Sequence, residues 1–171
     1  PSCMVIDSAN AELKTKLANE FKSELIRFYY GEDLIGTEIG AAAKNVMGIL
    51  AGILDGCGYQ ALKGSLMTRG AREVARLIKA MGGNELSAYG LCHLGDYEAT
   101  VFSQYSHNRR YGEMYVRGEQ FGQLAEGYYT AKAMMFLSEK YGVELPICEA
   151  VYKILYENAD YNETLQSLFS R

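Results

Sequence analysis

Residues 34–54 read LIGTEIGAAAKNVMGILAGIL, and this stretch decides the fold of the chain. Glycine and alanine recur throughout it among large aliphatic residues, and the glycine cluster Gly56-Cys57-Gly58 follows it. Small residues at this density let neighbouring helices approach closely. The stretch therefore predicts a long apolar helix that runs through the centre of a domain and ends at the glycine cluster.

The chain beyond this helix predicts more helices and no strand. Apolar residues recur at helical spacing, Gly82-Gly83 supplies a helix stop, and Pro146 stands where a first-turn proline belongs. These signals predict helices over residues 61–81, 85–91, 97–102, 126–141, 146–157 and 163–169, and a loop over residues 105–110. The fold class predicted for residues 31–171 is therefore an all-α bundle.

Residues 1–30 differ from the rest because they alternate a strand, a helix and a strand. Met4-Val5-Ile6 is a short apolar run, and Asp7-Ser8 after it is a predicted helix N-cap. A large apolar residue at every fourth position predicts an amphipathic helix over residues 9–23, and residues 25–30 are rich in strand-forming side chains. Because two strands do not make a stable sheet alone, we expect this β-α-β unit to belong to a larger sheet outside the chain.

Composition and charge limit the classes of function. The chain has 171 residues and a formal net charge of −4, which disfavours a general nucleic-acid binder. Its longest unbroken apolar run, residues 46–54, is much shorter than the roughly 20 residues of a membrane span, so no membrane insertion is expected. The four cysteines form no C-x-x-C pair and follow no secretory leader, which predicts reduced, mostly buried thiols in a cytoplasmic protein.

Lys44 is the candidate for a chemical role within the central helix. The positions three and four residues away hold Gly40, Ala41, Met47 and Gly48, so no neighbouring side chain on the helix can neutralise its charge. A lysine in buried surroundings needs a partner or loses its proton easily, and perturbed groups of this kind often mark functional sites. The alternative is a lysine on a solvated stripe of an otherwise apolar helix, and the sequence leaves both open.

Two polar stretches further along the chain carry candidate ligand contacts. Asp96 and Thr100 stand four residues apart, on one face of a short helix, although Asp96 also fits a helix N-cap or first-turn acid. Residues 106–110, SHNRR, form a polar, cationic loop that suits a phosphate, although most such clusters are solvated turns.

Two further patterns are interpreted as carrying no site. Residues 56–61, GCGYQA, match the G-x-G-x-x-A pattern of dinucleotide-binding loops, but a helix precedes them instead of a strand. We interpret them as a helix-ending turn. His93 and His107 show no established metal-ligand spacing with Cys92 or Asp96, so no metal site is predicted.

These motifs occur in an order that resembles the C-terminal part of one family. They are EIGAAAKNV at residues 38–46, DG at 55–56, MTRG at 67–70, LGD at 94–96 with Thr100, NRRYG at 108–112, EG at 126–127 with Thr130 and Lys132, and GVELPI at 142–147. The likeness extends over essentially the whole chain. On these motifs the sequence is identified as a member of the bacterial-type NAD(P)-dependent glycerol-3-phosphate dehydrogenases.

The resemblance implies a fold and an activity. The fold is a helical substrate-binding bundle like the C-terminal domain of 6-phosphogluconate dehydrogenase, with residues 1–30 as the last β-α-β piece of a Rossmann-like domain. The G-x-G-x-x-G loop of that domain is expected upstream of this chain. The activity is cytoplasmic interconversion of dihydroxyacetone phosphate and sn-glycerol 3-phosphate, a precursor step for phospholipids, with NAD or NADP as cofactor. Many tyrosines and small-residue helices add the expectation of a homodimer.

The resemblance also implies roles for individual residues. Lys44 corresponds to the catalytic lysine that protonates the ketone oxygen as hydride arrives, and Asp96 holds Lys44 and the substrate hydroxyls. The expected contacts with the small phosphorylated substrate are Asn45, Asp96, Thr100, Ser106, His107, Asn108 and Arg109, and the expected cofactor contacts are His107 and Glu126.

This sequence departs from the family at two positions. His107 replaces an arginine that binds the substrate phosphate and the cofactor, and histidine lacks both a permanent charge and the guanidinium fork. His93 replaces a glycine, where a bulky ring is expected to narrow the pocket. Two alternatives therefore stay open: a relative that has lost catalysis and serves as a binding or dimerisation module, and a dehydrogenase of a related small hydroxy substrate.

Overall fold

A two-stranded parallel sheet and its connecting helix open the chain, and a bundle of helices follows. The computed structural model describes residues 2–170, without the side chain of Glu98. The elements are β1 (Ser2–Ile6), α1 (Ala11–Phe21), β2 (Ile26–Tyr30), α2 (Leu34–Gly56), α3 (Lys63–Ala80), α4 (His107–Val116), α5 (Glu126–Tyr141), α6 (Pro146–Tyr156) and α7 (Tyr161–Phe169). Short 3-10 turns cover Gln60–Leu62, Glu85–Tyr89 and Leu94–Asp96, and a π-helical turn covers Glu98–Phe102. This order confirms an all-α bundle behind a β-α-β unit.

The N-terminal unit has parallel pairing, as its β-α-β pattern predicts, but its helix begins later than expected. β1 pairs with β2, and α1 connects them. The predicted N-cap at Asp7-Ser8 is wrong, because the side-chain oxygen of Asn10 accepts a hydrogen bond of 3.0 Å from the backbone N–H of Leu13. The Asp7 carboxylate instead accepts hydrogen bonds from the backbone N–H of Asp33 at 3.1 Å and from the hydroxyl of Thr37 at 2.9 Å. Asp7 thus connects the end of β1 to the start of α2.

Helix α2 lies at the centre of the bundle because its small residues let two other helices approach it. Its large side chains between Val46 and Leu54 have no exposed surface. A Cβ atom at Gly52 would overlap the carbonyl oxygen of Arg109 in α4, and one at Gly127 in α5 would lie 2.5 Å from the carbonyl oxygen of Asn45. Glycine therefore sets how closely α4 and α5 pack on α2, as the small-residue pattern predicts.

The GCGYQA stretch at residues 56–61 begins at the end of α2 and forms a turn. Gly58 adopts a φ of +80°, and its N–H donates to the carbonyl of Asp55 at 3.1 Å. The N–H of Tyr59 donates to the carbonyl of Leu54 at 2.8 Å. This pair of bonds is a Schellman motif, in which a left-handed residue closes the C-terminus of a helix. The interpretation as a helix-ending turn is confirmed.

The segment before α4 departs most from the predicted secondary structure. Residues 85–91 and 97–102, predicted as helices, contain a 3-10 turn and a π-helical turn. The predicted loop over residues 105–110 is wrong, since α4 begins at His107. Ser106 is its N-cap, and the Ser106 hydroxyl oxygen accepts a hydrogen bond of 3.3 Å from the N–H of Arg109. A serine before a polar run is a helix-start signal in its own right, and it outweighs the loop-like composition.

Buried Glu73 fixes the start of α6. Its carboxylate accepts hydrogen bonds from the backbone N–H groups of Ile147 at 2.8 Å and Cys148 at 3.0 Å, directly after Pro146 at the first helical position. Burial raises the pKa of Glu73, and the two N–H donors oppose that rise. The α3 helix therefore supplies the N-terminal cap of α6, and the predicted role of Pro146 is confirmed.

The four cysteines are less buried than the sequence predicts. All four cysteines are free, but only Cys148 is buried, whereas Cys57 and Cys92 are half-buried and Cys3 is exposed. The expectation of mostly buried thiols is therefore wrong.

By length and composition alone α2 could cross a membrane, but the core helix of a protein can meet the same criterion. In α2, 61% of the most apolar stretch is buried inside the protein.

Candidate active site

An ion pair between Lys44 and Asp96 forms the centre of the candidate site. Lys44 projects from the middle of α2, and the 3-10 turn Leu94–Asp96 brings the Asp96 carboxylate against its ammonium. The side chain of Lys44 is 23% exposed and that of Asp96 is 37% exposed, so a ligand can reach the pair. Lys44 therefore has an acidic partner and does not lie on a solvated stripe. Asp96 is not an N-cap, because His93 precedes the 3-10 turn and Tyr97 precedes the π-helical turn, but it is the acid of the 3-10 turn, as the alternative prediction states.

Two asparagines and a glutamate form a second group next to Lys44 along α2. The side-chain oxygen of Asn45 accepts a hydrogen bond of 3.1 Å from the amide of Asn108, and the amide of Asn45 donates to the Glu126 carboxylate at 3.2 Å. The side-chain oxygen of Asn108 accepts the backbone N–H of Gly127 at 2.8 Å. This network joins α2, α4 and the first turn of α5. It brings together three residues that the sequence separates widely.

Thr100 packs against α2 one helical turn after Lys44. Its residue surface is only 6% exposed. A Cβ atom at Gly48 would lie 2.8 Å from Cγ2 of Thr100 and 3.1 Å from Cβ of Asn108. The missing side chain at Gly48 is therefore what allows Thr100 and Asn108 to meet on the same face of α2 as Lys44.

His107 and Arg110 lie on the surface at the start of α4, next to Asn108. The ring of His107 meets that of Phe121 edge to face at 6.1 Å, and the guanidinium of Arg110 lies 5.8 Å from the centre of the same ring. Ser106 precedes them as the N-cap of α4. The Arg110 guanidinium and the His107 imidazole thus both pack against Phe121, at one edge of the candidate site.

Arg109 is the one predicted contact whose side chain the structure directs to another cluster. Its guanidinium donates to the Asp55 carboxylate at 2.6 Å and to the Ser103 carbonyl at 2.9 Å, and it also pairs with Glu113 at 3.0 Å. Lys63 pairs with the same Asp55 carboxylate at 2.6 Å. The prediction of Arg109 as a substrate contact is corrected for this reason: its donors are used to hold α4 against the end of α2.

His93 lies beneath the candidate site and does not narrow it. The residue has no exposed surface, its Nδ1 lies 2.9 Å from the carbonyl oxygen of Gly40, and its Nε2 lies 2.6 Å from the hydroxyl of Tyr97. Burial lowers the pKa of His93 to about 4, and the charge of Lys44 adds to this effect. The expected narrowing of the pocket is wrong, because the ring turns into the core, where Gly40 leaves room for it.

We expect His93 to make the chain less stable in acid. A pKa of about 4 in the folded state lies below the ordinary value of 6.5, so the folded state binds fewer protons between these values. The free energy of unfolding therefore falls as the pH falls through this range, by about 2 kcal/mol between pH 7 and pH 5. Denaturant unfolding of the wild type and His93→Asn measures it. The stability difference between them should shrink by that amount, and a constant difference would contradict the assignment.

The Lys44–Asp96 pair can move a proton at a bound oxygen. An ammonium beside an oxygen that gains negative charge stabilises that charge and can donate a proton to it, and a carboxylate in contact orients the ammonium. Among the side chains that the structure describes, which exclude that of Glu98, no three His, Cys, Asp or Glu side chains are grouped so that they could bind a metal ion. Sequence patterns did not single out Tyr97, and they marked Gly48 only as one of the small residues around Lys44. The contacts of both appear only when α2 and the segment around Asp96 are packed together.

Comparison with known proteins gives the same assignment over most of the chain. Residues 33–166 match the family described as NAD-dependent glycerol-3-phosphate dehydrogenase C-terminus. Relatives named glycerol-3-phosphate dehydrogenase (NAD(P)+) include one from Clostridium botulinum, 38% identical, and one from Fusobacterium nucleatum, 39% identical. Each alignment includes 100% of this chain and 54% and 53%, respectively, of the relative. The chain therefore spans about half the length of the curated relatives it matches.

Solved structures agree with the described fold. The glycerol-3-phosphate dehydrogenase of Coxiella burnetii superposes with a TM-score of 0.93 at 31% identity, over 100% of this chain and 55% of that one. A Dunaliella salina protein, titled DsGPDH, superposes with a TM-score of 0.82 at 21% identity, which supports the fold alone. The family match and the shared fold lead to one conclusion: this chain belongs to the family of NAD-dependent glycerol-3-phosphate dehydrogenase C-terminal domains.

Proposed function

We propose that this chain is the substrate-binding and catalytic part of an NAD(P)-dependent oxidoreductase that interconverts dihydroxyacetone phosphate and sn-glycerol 3-phosphate. The observation that carries the proposal is the Lys44–Asp96 ion pair, which is partly exposed at the centre of the family's helical domain. Reduction of a ketone requires a proton donor at the ketone oxygen, and a positioned lysine is suited to that role.

In the direction of reduction, Lys44 donates a proton from Nζ to the ketone oxygen. Its charge stabilises the oxygen as negative charge develops there, and Asp96 holds the ammonium in place. In the direction of oxidation, neutral Lys44 accepts the proton of the substrate hydroxyl. Thr100 and Asn108 border the same face of α2 and frame the substrate beside Lys44.

The cofactor is proposed to approach from the side of Asn45 and Glu126. NAD(P)H supplies the hydride when it is bound. The linked amide of Asn45 and carboxylate of Glu126 suit a neutral or cationic ring and disfavour phosphate, so they fit the nicotinamide end of the dinucleotide. The turn at residues 56–61 closes a helix and does not fit the pyrophosphate, which leaves that group to residues outside this chain.

The substrate phosphate is proposed to bind at the start of α4. Ser106, His107 and Asn108 occupy the N-cap and the first turn, where backbone N–H groups and the helix dipole favour an anion. Arg110 packs on the same Phe121 ring as His107 and supplies a permanent positive charge for the phosphate. Arg109 does not, because its guanidinium is paired with Asp55. His107 is also the proposed contact with the cofactor.

The same proposal includes the domain boundary, the assembly and the location of the protein. Residues 1–30 would end the nucleotide-binding domain, and residues 31–171 would form the helical domain. Phe21 and Leu25 are 65% and 66% exposed, which is apolar surface that a larger domain would cover.

Tyr129 and Phe136 on α5 are 66% and 63% exposed, and this exposed apolar surface supports a homodimer. A cytoplasmic location follows from the proposed activity.

The test is steady-state oxidation of NADH and NADPH by the full-length protein with dihydroxyacetone phosphate. Turnover with dihydroxyacetone phosphate that is much faster than with unphosphorylated dihydroxyacetone is the expected result. Turnover with neither of these, nor with other small keto-phosphates, would overturn the proposal and would favour a binding or dimerisation module. Preference for an unphosphorylated ketone would indicate a changed substrate.

We expect His107→Arg to strengthen binding of the substrate phosphate. Arginine adds a permanent charge and forked donors next to Asn108, so KM for dihydroxyacetone phosphate should fall about threefold to tenfold, with kcat nearly unchanged. Gln166→Arg is the matched control, since it adds the same charge at an exposed position on α7, away from the site residues in sequence. Equal effects of the two variants would argue against a phosphate contact at position 107.

A further inference from the structure

The buried pair of His93 and Tyr97 connects the two chain segments that carry Lys44 and Asp96. The His93 ring lies between the carbonyl oxygen of Gly40, 2.9 Å from Nδ1, and the hydroxyl of Tyr97, 2.6 Å from Nε2. His93 and Tyr97 both have no exposed surface. Their rings also pack edge to face, with centroids 4.7 Å apart. We refer to this arrangement of His93, Tyr97 and the Gly40 carbonyl as the clamp.

The direction of each hydrogen bond in the clamp is fixed by chemistry. A carbonyl oxygen can only accept, so Nδ1 of His93 carries the proton and donates to Gly40. Nε2 then has a lone pair and accepts from the hydroxyl of Tyr97. Burial keeps the ring neutral near pH 7, since the pKa of His93 is lowered to about 4. The clamp therefore has a single arrangement of protons near pH 7.

The positions of these residues relate the clamp to the ion pair. Gly40 precedes Lys44 by four residues, so its carbonyl lies one helical turn below the lysine. His93 and Tyr97 flank the turn Leu94–Asp96, which carries the carboxylate. One end of the clamp thus holds the backbone beneath Lys44, and the other holds the residue that follows Asp96.

Two glycines make the space that the clamp occupies. A Cβ atom at Gly40 would lie 3.1 Å from Cβ of His93, and one at Gly70 in α3 would lie 2.9 Å from the hydroxyl oxygen of Tyr97. The clamp is therefore packed from both sides, by α2 and by α3. A pair of hydrogen-bonded rings that fits between two backbones in this way cannot shift without moving one of them.

We propose that His93 and Tyr97 are positioning residues that fix the Asp96 carboxylate against the Lys44 ammonium through the Gly40 carbonyl. The inference rests on the proposed function, because it gives the ion pair its catalytic meaning. His93 and Tyr97 are fully buried, so neither side chain is open to a substrate or a cofactor. Its loss should change how well Lys44 transfers a proton and should leave the binding of both ligands intact.

Tyr97→Phe in the full-length protein is the sharpest test, because it removes one hydroxyl and keeps the packed ring. We expect kcat for dihydroxyacetone phosphate reduction to fall about tenfold, with KM for the ketone and for NADH within about twofold of wild type. The pH dependence of kcat should also change, because proton transfer depends on how Asp96 holds the Lys44 ammonium. Tyr115→Phe is the matched control, because the Tyr115 hydroxyl donates to the Ile154 carbonyl at 2.8 Å and so joins α4 to α6, neither of which carries a residue of the clamp.

A second variant separates positioning from folding. His93→Asn keeps a side-chain donor for the Gly40 carbonyl, and His93→Ala does not. When both variants are assayed at a temperature where they are folded, His93→Asn should therefore retain more kcat. Unchanged kcat and an unchanged pH profile in Tyr97→Phe, or a loss matched by Tyr115→Phe, would overturn the clamp while wild-type turnover stands. A wild type without turnover would instead overturn the proposed function, and with it the catalytic meaning of the clamp.

Discussion

In the full-length protein, Lys44→Met is expected to lower kcat for dihydroxyacetone phosphate reduction by roughly 10²–10⁴-fold, the usual contribution of a positioned acid-base group. Methionine matches the length of the lysine stem but has no proton to donate and no charge to stabilise the ketone oxygen. Fold and substrate binding should persist, because Asp96 is 37% exposed and stays hydrated without its partner. Steady-state kinetics and the thermal midpoint, measured on the same sample, distinguish loss of chemistry from loss of folding.

Lys153→Met is the matched control for the lysine substitution. Lys153 also pairs with an acidic side chain, Glu149, at 2.6 Å, but its side chain is 46% exposed on α6. An exposed pair of this kind contributes little to stability, so kcat and the thermal midpoint should both stay near wild type. If Lys44→Met kept more than about a tenth of wild-type kcat, Lys44 would not be the proton donor.

Gly52→Ala is expected to destabilise the chain by about 3 kcal/mol, at the upper end of the cost of overpacking a core. The added Cβ would overlap the carbonyl oxygen of Arg109 and lie 2.8 Å from the backbone N of Glu113. Both atoms belong to the backbone of α4, which cannot rotate aside as a side chain can. The whole of α4 must move, and the thermal midpoint should fall by roughly 10 °C.

Gly64→Ala tests whether that loss comes from the contact and not from the substitution itself. Gly64 is also helical, in the first turn of α3, but no atom lies within 4 Å of its Cβ position. Alanine favours a helix over glycine by up to about 1 kcal/mol, so this variant should be as stable as the wild type or more stable. Equal effects at the two positions would mean that α4 does not pack on Gly52 as described.

The fold could be predicted because its signals are local. The small residues of α2 and the strand–helix–strand pattern at residues 1–30 each act within one segment, and both predictions hold. Ser106 is a further local signal, and it begins α4 although residues 106–110 have the polar character of a loop. The loop prediction was wrong because it followed that composition and not the serine.

The site could be predicted only in part, because its contacts join segments far apart in the chain. The lack of charged neighbours for Lys44 on α2 indicated that it needed a partner, and the family motif named Asp96. The direction of Arg109 depends on Asp55, which lies 54 positions away, so no local pattern indicates it. The position of His93 likewise depends on the backbone of Gly40, whereas the resemblance to the family led to the expectation that its ring would narrow the pocket.

The most direct test is a crystal structure of the full-length protein with oxidised cofactor and sn-glycerol 3-phosphate. We expect the substrate 2-hydroxyl within hydrogen-bonding distance of Lys44 Nζ, and the phosphate at the start of α4 near Ser106, His107 and Asn108. We also expect Arg109 to stay paired with Asp55. A substrate hydroxyl remote from Lys44, or a phosphate bound by Arg109 after release of Asp55, would contradict the proposed roles of Lys44 and of the start of α4.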